Sequence, residues 1–567
     1  MEKPMRVYRV IEKLLEIVMA ILGLLSLLVL ITSILTTVVF RQREQNDLFD
    51  FQPENIGMLV LLVLATIIAG LVIQNFDGFN KFIGRKKCIG IFELIMVAVA
   101  LTLGLFLIFS IRGLATNDAD ELNVIINKFM EEGNYSSIRD GYLATYPFQI
   151  GYVMLGQLLY VLAGPSNFLV YQLLNLVSIL LTMYYLYRIT CLVFHERMES
   201  EIMAFLAIGA WFFYAFSTFV YNDIWSNALQ FAAFYLLLQF LQNDKIKYAV
   251  GTMLCIAFAC LVKTNCYIAL IAMTIVLIFA SIRNNYVLKG NNNSNAHQGT
   301  RANQFLLRIK YIILAIVMVA CTLLLSNIVR TTYAHKAGLV KMRDGVSAID
   351  YIAMGMQEAE GKYGWYDGYN VSVYKTNDFD TEKANAAAIE NIHESLGRFK
   401  NSKRYFVKFY LFKFLSQWAD PTDVSLREQE ETARHVVNQP AIAQSIVFGD
   451  IYHTMQWVMN VYQTVIYFFV CCYIIFRLRQ LANNRKIHGW KSDNIDNDEA
   501  IYLNNGEILI ILFIIGGMTF HMFWEASGRY TMRYYLAMLP IAAHGANAFF
   551  GRIAGCKKKS MNNKHQN

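Results

Sequence analysis

Residues 14–40 read LLEIVMAILGLLSLLVLITSILTTVVF, a run in which Glu16 is the one charged residue. A helix needs about 20 apolar residues to cross a bilayer. This run is too long for the core of a signal peptide and no small-residue cleavage site closes it, so it predicts a retained membrane span. Comparable windows recur along the 567 residues, of which 56% are hydrophobic. The sequence therefore predicts an all-α polytopic membrane protein.

The apolar windows predict about twelve transmembrane helices. They fall at residues 14–40, 57–75, 88–112, 166–187, 202–221, 225–242, 247–262, 265–282, 310–329, 455–477, 506–524 and 532–550. Lys and Arg collect in alternate short loops, which by the positive-inside rule places those loops and both termini in the cytoplasm. The net charge of +8 is then mostly orientation bias, and it gives no reason to expect nucleic-acid binding.

A thirteenth apolar stretch, residues 146–163 (YPFQIGYVMLGQLLYVLA), does not fit this orientation. Counting it as a span would invert every later loop and place the basic ones outside. We therefore expect a helix that lies at, or dips into, the outer interface.

Four regions follow from this layout. An N-terminal two-helix extension occupies residues 1–87, and a transmembrane core with an acidic outer loop (113–145) occupies 88–329. One large extracytoplasmic insert spans 330–452, and the last transmembrane helices with a basic cytoplasmic tail span 453–567. The Asn-rich segment 283–304 predicts a disordered cytoplasmic linker. The nine cysteines lie in or beside spans and indicate neither a disulfide framework nor a metal motif.

Polar side chains collect where the predicted spans meet the outer face. They are Asp118, Asp120 and Glu121 in ATNDADE (115–121), Tyr146, Tyr221, Asn222 and Asp223 in FVYNDIWSN (219–227), Lys263 in ACLVKTNCY (259–267), and Glu525, Arg529, Tyr530 and Arg533 near the C-terminus. Ionisable groups this close to hydrocarbon are costly and tend to be functional or paired. Their convergence predicts a site with an acid/base side and an anion-binding side.

Each group also has a purely structural interpretation. The acidic cluster equally suits a solvated helix end, and Lys263 suits a side chain that reaches from a helix end to the interface. Glu525 and Arg529 are spaced i,i+4, which fits an exposed helix pair of small worth. Asp223 fits a turn, and His521 fits a packed histidine.

Three segments carry a resemblance to a known family. They are NDADE followed by ATYPFQIGY (117–152), CIAFACLVKTN (255–265) and FWEASGRYTMRYY (523–535), with shorter echoes in YIAMGMQE (351–358), GWYDGYN (364–370) and FLSQWADPTD (414–423). The chain resembles the GT-C superfamily of integral-membrane glycosyltransferases, which includes protein O-mannosyltransferases and aminoarabinose transferases, and within it a Gram-positive-type set. The likeness covers roughly residues 88–550, and the first two spans precede its usual start.

The resemblance implies transfer of a sugar from a polyprenyl-phosphate carrier to a cell-envelope glycan or lipid-linked acceptor outside the cell membrane, with inversion. Such a reaction needs a carboxylate base and fixed cations for the leaving phosphate. The family's acid in the first outer loop falls by position on Asp118 or Asp120, and we expect Asp118 to be the base, with Asp120 and Glu121 in support. Lys263 and Arg529 would hold the donor phosphate, and Tyr530 and Arg533 are lesser candidates.

Substrate and metal contacts are less determined by the sequence. Tyr146, Asp223, Glu525, Trp365 and Trp418 are candidates for substrate binding, Trp365 and Trp418 together with Tyr366 and Tyr369 by stacking on an acceptor glycan. An aromatic core of a folded cap explains these insert aromatics equally well. Asp118, Asp120, Glu121 and Asp223 also offer oxygen ligands suited to a divalent cation such as Mg²⁺ or Mn²⁺.

Two other classes of protein compete with this hypothesis. Twelve spans and cytoplasmic termini also suit a lipid or glycan transporter or flippase, and a non-catalytic assembly factor is a third class. Transporters tend to carry ionisable groups near the midplane and to show paired halves. Here the charges lie at one interface and one insert breaks any symmetry, which favours the glycosyltransferase.

Overall fold

The computed structural model of the chain describes residues 2–42, 47–75, 90–283, 297–488 and 503–564. Within these ranges the chain is almost entirely helical, with two short antiparallel hairpins as its strands. The chain is thus an all-α polytopic membrane protein, which confirms the predicted fold class. Most of the predicted linker 283–304, namely residues 284–296, lies outside the described residues.

Eight helices of the described residues are long and apolar enough to cross a membrane. They are Glu2–Leu35, Ile91–Ile111, Phe168–Phe194, Asp223–Asn243, Tyr267–Arg283 with its preceding 3₁₀ turn Thr264–Cys266, His297–Lys336, Asp450–His488 and Asn505–Phe523. A ninth span is formed if Arg197–Ile208 and Trp211–Ala215, the latter extended by the 3₁₀ turn Phe216–Thr218, are counted together across their 57° bend.

Each of the twelve predicted spans falls on a helix of the described residues, and nine of them are long and apolar enough to cross a membrane when the bent pair counts as one. The other three predicted spans fall on helices that miss one criterion each. Ile246–Val262 is short, and so is the described apolar part of Ile56–Asn75, residues Ile56–Leu71. Gly528–Lys564 contains the predicted span 532–550 and is long enough, but it is not one of the helices apolar enough to cross a membrane by composition.

The first predicted span, 14–40, ends earlier than its hydrophobicity suggests. The helix stops at Leu35, and Thr36–Phe40 forms a strand that pairs antiparallel with Phe49–Pro53. TTVVF is dominated by β-branched residues, which are stiff in helices and favoured in strands. Its apolar side chains Val38 and Phe40 pack with Trp365 of the insert and are buried by protein contacts.

The stretch between the third span and the fourth is a chain of short helices. They are Asp118–Glu131, Ser136–Asp140, Tyr142–Thr145, the 3₁₀ turn Pro147–Gln149, and Ile150–Ala163. The last has 14 residues and is about 21 Å long, which is too short to cross a bilayer. A position at the outer interface stays a prediction, as do the orientation of the termini and the domain boundaries.

The insert between 330 and 452 is helical as well. Its elements are Ala348–Gly355, the hairpin Glu358–Ala359 with Lys362–Tyr363, Tyr369–Thr376, Thr381–Asn401, Lys403–Trp418, Ser425–Ala433 and Ala441–Phe448. A bridge between Trp365 and Ala526 ties the insert to the turn that precedes the last helix. Lys413 donates to the carbonyls of Gly355 and Trp524 and secures the same junction.

The last helix is packed deep in the bundle. Gly528–Lys564 lies against Asp450–His488, and a Cβ at Gly545 would overlap the carbonyl of Phe469. Small residues at such crossings let two membrane helices approach closely. This packing fixes the start of the last helix, where Arg529 and Tyr530 are found.

Candidate functional site

A cavity of about 670 Å³ lies where the short helices after residue 117, the insert and the ends of several spans meet. Its walls come from the start of Asp118–Glu131, the turns at 219–222, 262–265 and 524–530, the insert around 346–366, and Ser425–Ala433. Residues from each of the quoted outer-face segments thus line one space, although not every residue quoted from them does.

One wall of the cavity is acidic. Asp118 and Glu121 line it, whereas Asp120 does not. The three residues occupy the first turn of a helix, where positions i and i+3 share a face and i+2 points away. Carboxylates at a helix N-terminus are also favoured by the helix dipole. Asp118 and Asp120 are both exposed, so what separates them is direction.

Asp118 is held by an aromatic neighbour that the sequence did not reveal. The hydroxyl of Tyr142 hydrogen-bonds the Asp118 carboxylate, and Asp118 also acts electrostatically on Tyr146, Tyr221 and Glu525. The carboxylate is therefore both solvent-accessible and oriented.

The lining of the cavity also includes two cations, Lys263 and Arg529. The Lys263 ammonium lies 3.0 Å from an oxygen of Asp223, and Arg529 Nη1 lies 2.7 Å from Glu428 Oε1. Lys263 Nζ is 4.7 Å and the Arg529 guanidinium carbon 5.5 Å from the centre of the Tyr221 ring. These are cation–π distances. Asp118 also acts electrostatically on Tyr221, so this ring is near both the cations and the carboxylate.

Backbone contacts explain how residues so far apart in sequence meet. The side-chain amide of Asn222 donates to the backbone carbonyl of Val262 at 2.6 Å. This bond joins the turn before Asp223 to the end of the helix that precedes Lys263. A Cβ at Gly151 would overlap the carbonyl of Leu261. Glycine therefore lets the helix Ile150–Ala163 pack directly against the end of the helix Ile246–Val262.

Asp223 and Arg533 lie beneath the cavity. Asp223 is fully buried, does not line the cavity and is the common counter-ion of three cations, Lys263 at 3.0 Å, Arg529 at 3.9 Å and Arg533 at 4.0 Å. Arg533 is 1% exposed and donates to Gln230 and Ser226. Both are placed to support Lys263 and Arg529 from behind.

The predicted substrate contacts divide into two groups. Tyr146, Trp365, Tyr366 and Glu525 line the cavity, and Tyr530 does so beside Arg529. Trp418 does not: it is 2% exposed and packs on Phe414 and Tyr534, so its prediction is corrected to a core residue. Tyr369 is likewise absent from the lining. The core interpretation of the insert aromatics is thus the better one for these two.

Several lining residues were missed from the sequence. They are Asp47, Tyr142, Tyr351, Lys362, Glu428 and Trp524. Asp47 belongs to the N-terminal extension, where it lies 3.3 Å from Arg427, and it shows that the extension reaches the site. Glu428 lies in the insert helix Ser425–Ala433, whose many charges resemble an ordinary solvated face.

Burial changes the protonation of the groups in the cavity. It raises the pKa of the Glu525 carboxyl to about 7, against the opposing charge of Arg529 and with a further rise from Asp118. It likewise raises the pKa of Glu428 to about 7, although Arg529 opposes the rise. Burial lowers the pKa of the Lys263 ammonium, and Asp223 opposes this shift. Two carboxyl groups of the site thus change charge near neutral pH.

The carboxylates that the sequence suggested as metal ligands do not form a metal-binding cluster in the described residues. In the described part of the chain no three His, Cys, Asp or Glu side chains are grouped closely enough to hold a metal ion. Asp223 is already committed to cations, and Asp120 faces away. Mg²⁺ or Mn²⁺ stays a prediction of the sequence.

The raised pKa of Glu525 predicts a pH-dependent stability. Between its ordinary value of 4.5 and about 7, the unfolded chain carries an ionised Glu525 while the folded chain keeps the proton. Stability therefore falls as pH rises through this window. In Glu525→Gln this loss disappears, so the melting temperature of the variant relative to the wild type should rise from about pH 4.5 to about pH 7 and then level off.

Thermal unfolding of the full chain in nanodiscs over this pH range measures the effect. Glu121→Gln, the same change at an exposed position on the same cavity, is the control. A difference for Glu525→Gln that does not vary with pH contradicts the assignment of a buried, protonated carboxyl.

Comparison with known proteins bears on the same region. The model of a family described as dolichyl-phosphate-mannose-protein mannosyltransferase matches residues 150–290 of the 567. The match includes Asp223 and Lys263 but neither Asp118 nor Arg529. A search of curated proteins finds no match. The family match confirms the resemblance to GT-C glycosyltransferases and generally supports a mannosyltransferase-like role with a lipid-linked sugar donor and a glycan acceptor at the membrane.

Proposed function

We propose that the chain is an inverting glycosyltransferase that moves a sugar from a polyprenyl-phosphate carrier onto a cell-envelope glycan or lipid-linked acceptor at the extracytoplasmic face of the cell membrane. The observation that carries the proposal is the set of groups that share the cavity. An accessible carboxylate that accepts from Tyr142 lines the same cavity as two fixed cations, and the ring of Tyr221 lies near all three groups.

Asp118 is the general base of this proposal. Among the three acids of the cluster it lines the cavity and accepts from Tyr142. A base within hydrogen-bond reach of the reacting hydroxyl takes its proton in the transition state. Glu121 lines the same wall and supports the negative potential, while Asp120 would act at most indirectly because it lies outside the lining.

Lys263 and Arg529 are the donor-phosphate contacts. Each already has a carboxylate partner, and Arg529 Nε has no hydrogen-bond partner among the described residues. A phosphate that enters between them would gain the point charge of the Lys263 ammonium and the charge of the Arg529 guanidinium. Tyr530 borders this place, and Arg533 contributes through Asp223.

The proposed step is a single displacement at the sugar. The acceptor oxygen attacks C1 of the sugar while its proton passes to Asp118, and the bond from C1 to the phosphate oxygen breaks on the opposite face. Polyprenyl phosphate leaves with the electron pair of this bond, and Lys263 and Arg529 stabilise its added negative charge. Asp118 then returns its proton to solvent, so one C–O bond has formed and one has broken.

Aromatic side chains supply surfaces for the sugars. Tyr146 and Tyr366 line the cavity near Asp118, and Tyr351 stacks on Trp524 at a centroid distance of 4.9 Å. Trp365 also lines the cavity, but it is 4% exposed and packs mainly on Phe40 and Phe49. Planar faces of this kind suit the apolar faces of sugar rings. Glu525 lies within reach of the same space and would hydrogen-bond a sugar hydroxyl in its protonated form.

Binding of the carrier tests the donor half of the proposal without the acceptor. Full-length protein in nanodiscs should bind polyprenyl phosphate and not polyprenol of the same chain length, because Lys263 and Arg529 recognise the phosphate. Equal affinity for both lipids, or none for either, contradicts a donor-phosphate site.

A further inference from the structure

Lys362 is a buried cation that faces the cavity without a counter-ion. It lies in the insert strand Lys362–Tyr363, is 8% exposed and lines the cavity. Within the described ranges its ammonium makes no hydrogen bond and no ion pair within 4 Å. Asp367 interacts with it at longer range, and that carboxylate accepts from the backbone N–H of Tyr369 at 2.9 Å.

The other cations that line the cavity all have partners. Lys263 pairs with Asp223 at 3.0 Å, Arg529 with Glu428 at 2.7 Å, and Arg427 with Glu430 at 3.0 Å. Most of the Lys362 side chain is covered by protein, and its ammonium meets the cavity as a positive charge that no carboxylate of the described residues neutralises. Because the described chain supplies no partner to Lys362, a ligand is the natural source of one.

The position of Lys362 separates it from the donor-phosphate contacts. The charged groups that act most strongly on Lys263 are Asp223, Arg529 and Arg533. Lys362 belongs instead to the insert wall, three and four residues before Trp365 and Tyr366. Tyr366 is 50% exposed and hydrogen-bonds Tyr146, and Asp118 acts electrostatically on both tyrosines. The cation thus lies on the wall that the proposed function assigns to the acceptor.

We propose that Lys362 binds an anionic group, a phosphate or a carboxylate, carried by the acceptor glycan. This inference rests on the proposed function, and it adds that the acceptor is charged rather than neutral. Aromatic faces at Tyr146 and Tyr366 would hold the sugar ring, and Lys362 would hold its negative group. A lysine serves this purpose as a point charge, without the geometric demands of an arginine fork.

The experiment uses full-length protein in nanodiscs whose donor site has first been saturated with polyprenyl phosphate. Isothermal titration calorimetry then measures the binding of glycerol 3-phosphate and glucuronate, with glycerol and methyl glucoside as the neutral counterparts. We expect the wild type to bind one or both anions and to prefer them to the neutral molecules. The phosphate and carboxylate arms show which of the two groups the site selects.

Three variants assign the preference to one side chain. Lys362→Gln should weaken anion binding roughly 10- to 150-fold, the factor that corresponds to losing a hydrogen bond to a charged group, and Lys362→Arg should retain most of it. Lys375→Gln, at an exposed lysine on the neighbouring helix Tyr369–Thr376, should bind as the wild type does. Melting temperatures show whether each variant is folded. If Lys362→Gln does not fold, Lys362→Met takes its place in the binding experiment.

Three results would overturn the inference. The wild type does not prefer anions, the Lys362 variants bind anions as well as the wild type does, or Lys362→Gln loses affinity for polyprenyl phosphate alone, which would make Lys362 a donor contact. Failure of the proposed function is a separate outcome, because it appears as wild-type protein that does not bind polyprenyl phosphate at all.

Discussion

Asp118→Asn is expected to reduce the rate of sugar transfer by roughly 10²- to 10⁴-fold, the usual contribution of a general base. Asparagine keeps the size of the side chain and its hydrogen bond with Tyr142 but cannot take up the proton of the acceptor. Binding of polyprenyl phosphate should survive, because the proposed donor contacts are Lys263 and Arg529, whose ion-pair partners are Asp223 and Glu428 and not Asp118. Initial rates and donor affinity of the purified variant measure the two effects separately.

Asp120→Asn is the matched comparison for this variant. It makes the same chemical change two residues further along the same helix turn, on a side chain that is equally exposed but outside the cavity lining. It should be far milder than Asp118→Asn. An inactive Asp120→Asn with an active Asp118→Asn would move the base to Asp120, and two active variants would remove the acidic cluster from the chemistry.

Arg529→Gln should lower the affinity for polyprenyl phosphate by roughly 10- to 150-fold, which corresponds to losing a charge-assisted hydrogen bond worth about 1.5–3 kcal/mol. Lys263→Gln should have an effect of the same order. Arg529→Lys keeps the charge but loses the planar fork, so it should be nearly as damaging if the contact is bidentate and mild if it is a matter of charge. Binding of polyprenyl phosphate in nanodiscs is the measurement.

The structure adds a control that this experiment needs. Arg529 pairs with Glu428, so Arg529→Gln leaves a buried carboxylate without its partner and threatens the fold. The double variant Arg529→Gln/Glu428→Gln removes that residual charge and should be as stable as the wild type to within a few degrees. Wild-type donor affinity in this double variant and in Lys263→Gln would refute the donor-phosphate site.

Local signals in the sequence predicted the membrane helices and three charged residues of the site. Apolar windows predicted the membrane helices. Charges at the ends of these helices that we expect to face outward pointed to Asp118, Lys263 and Arg529, all of which line one cavity. These signals work because a charge beside a span is conspicuous in a chain this apolar. The same signals could not distinguish Asp118 from Asp120, which depends on where the helix begins: Asn117 lies outside it and Asp118 opens its first turn.

The remaining parts of the site depend on the fold of regions without a periodic pattern. Lys362 and Glu428 come from the insert and Asp47 comes from the extension, and the Asp47–Arg427 and Glu428–Arg529 pairs join residues 380 and 101 positions apart. Thr36–Phe40 was mistaken for the end of a span because hydrophobicity alone does not separate lipid contact from protein contact. Trp418 was mistaken for a ligand contact for the same reason, since a buried core and a binding surface use the same aromatic residues.

Sugar transfer by the purified protein tests the central claim most directly. Wild-type protein and Asp118→Asn are reconstituted with polyprenyl-phosphate mannose labelled in the sugar, and with membranes from a strain that lacks the protein as the source of acceptor. We predict that the wild type moves label into a cell-envelope product and releases polyprenyl phosphate, while Asp118→Asn binds the donor and does neither. Wild-type protein that leaves the donor intact, tested also with other polyprenyl-phosphate sugars, or that merely carries it across the bilayer unchanged, would contradict the account.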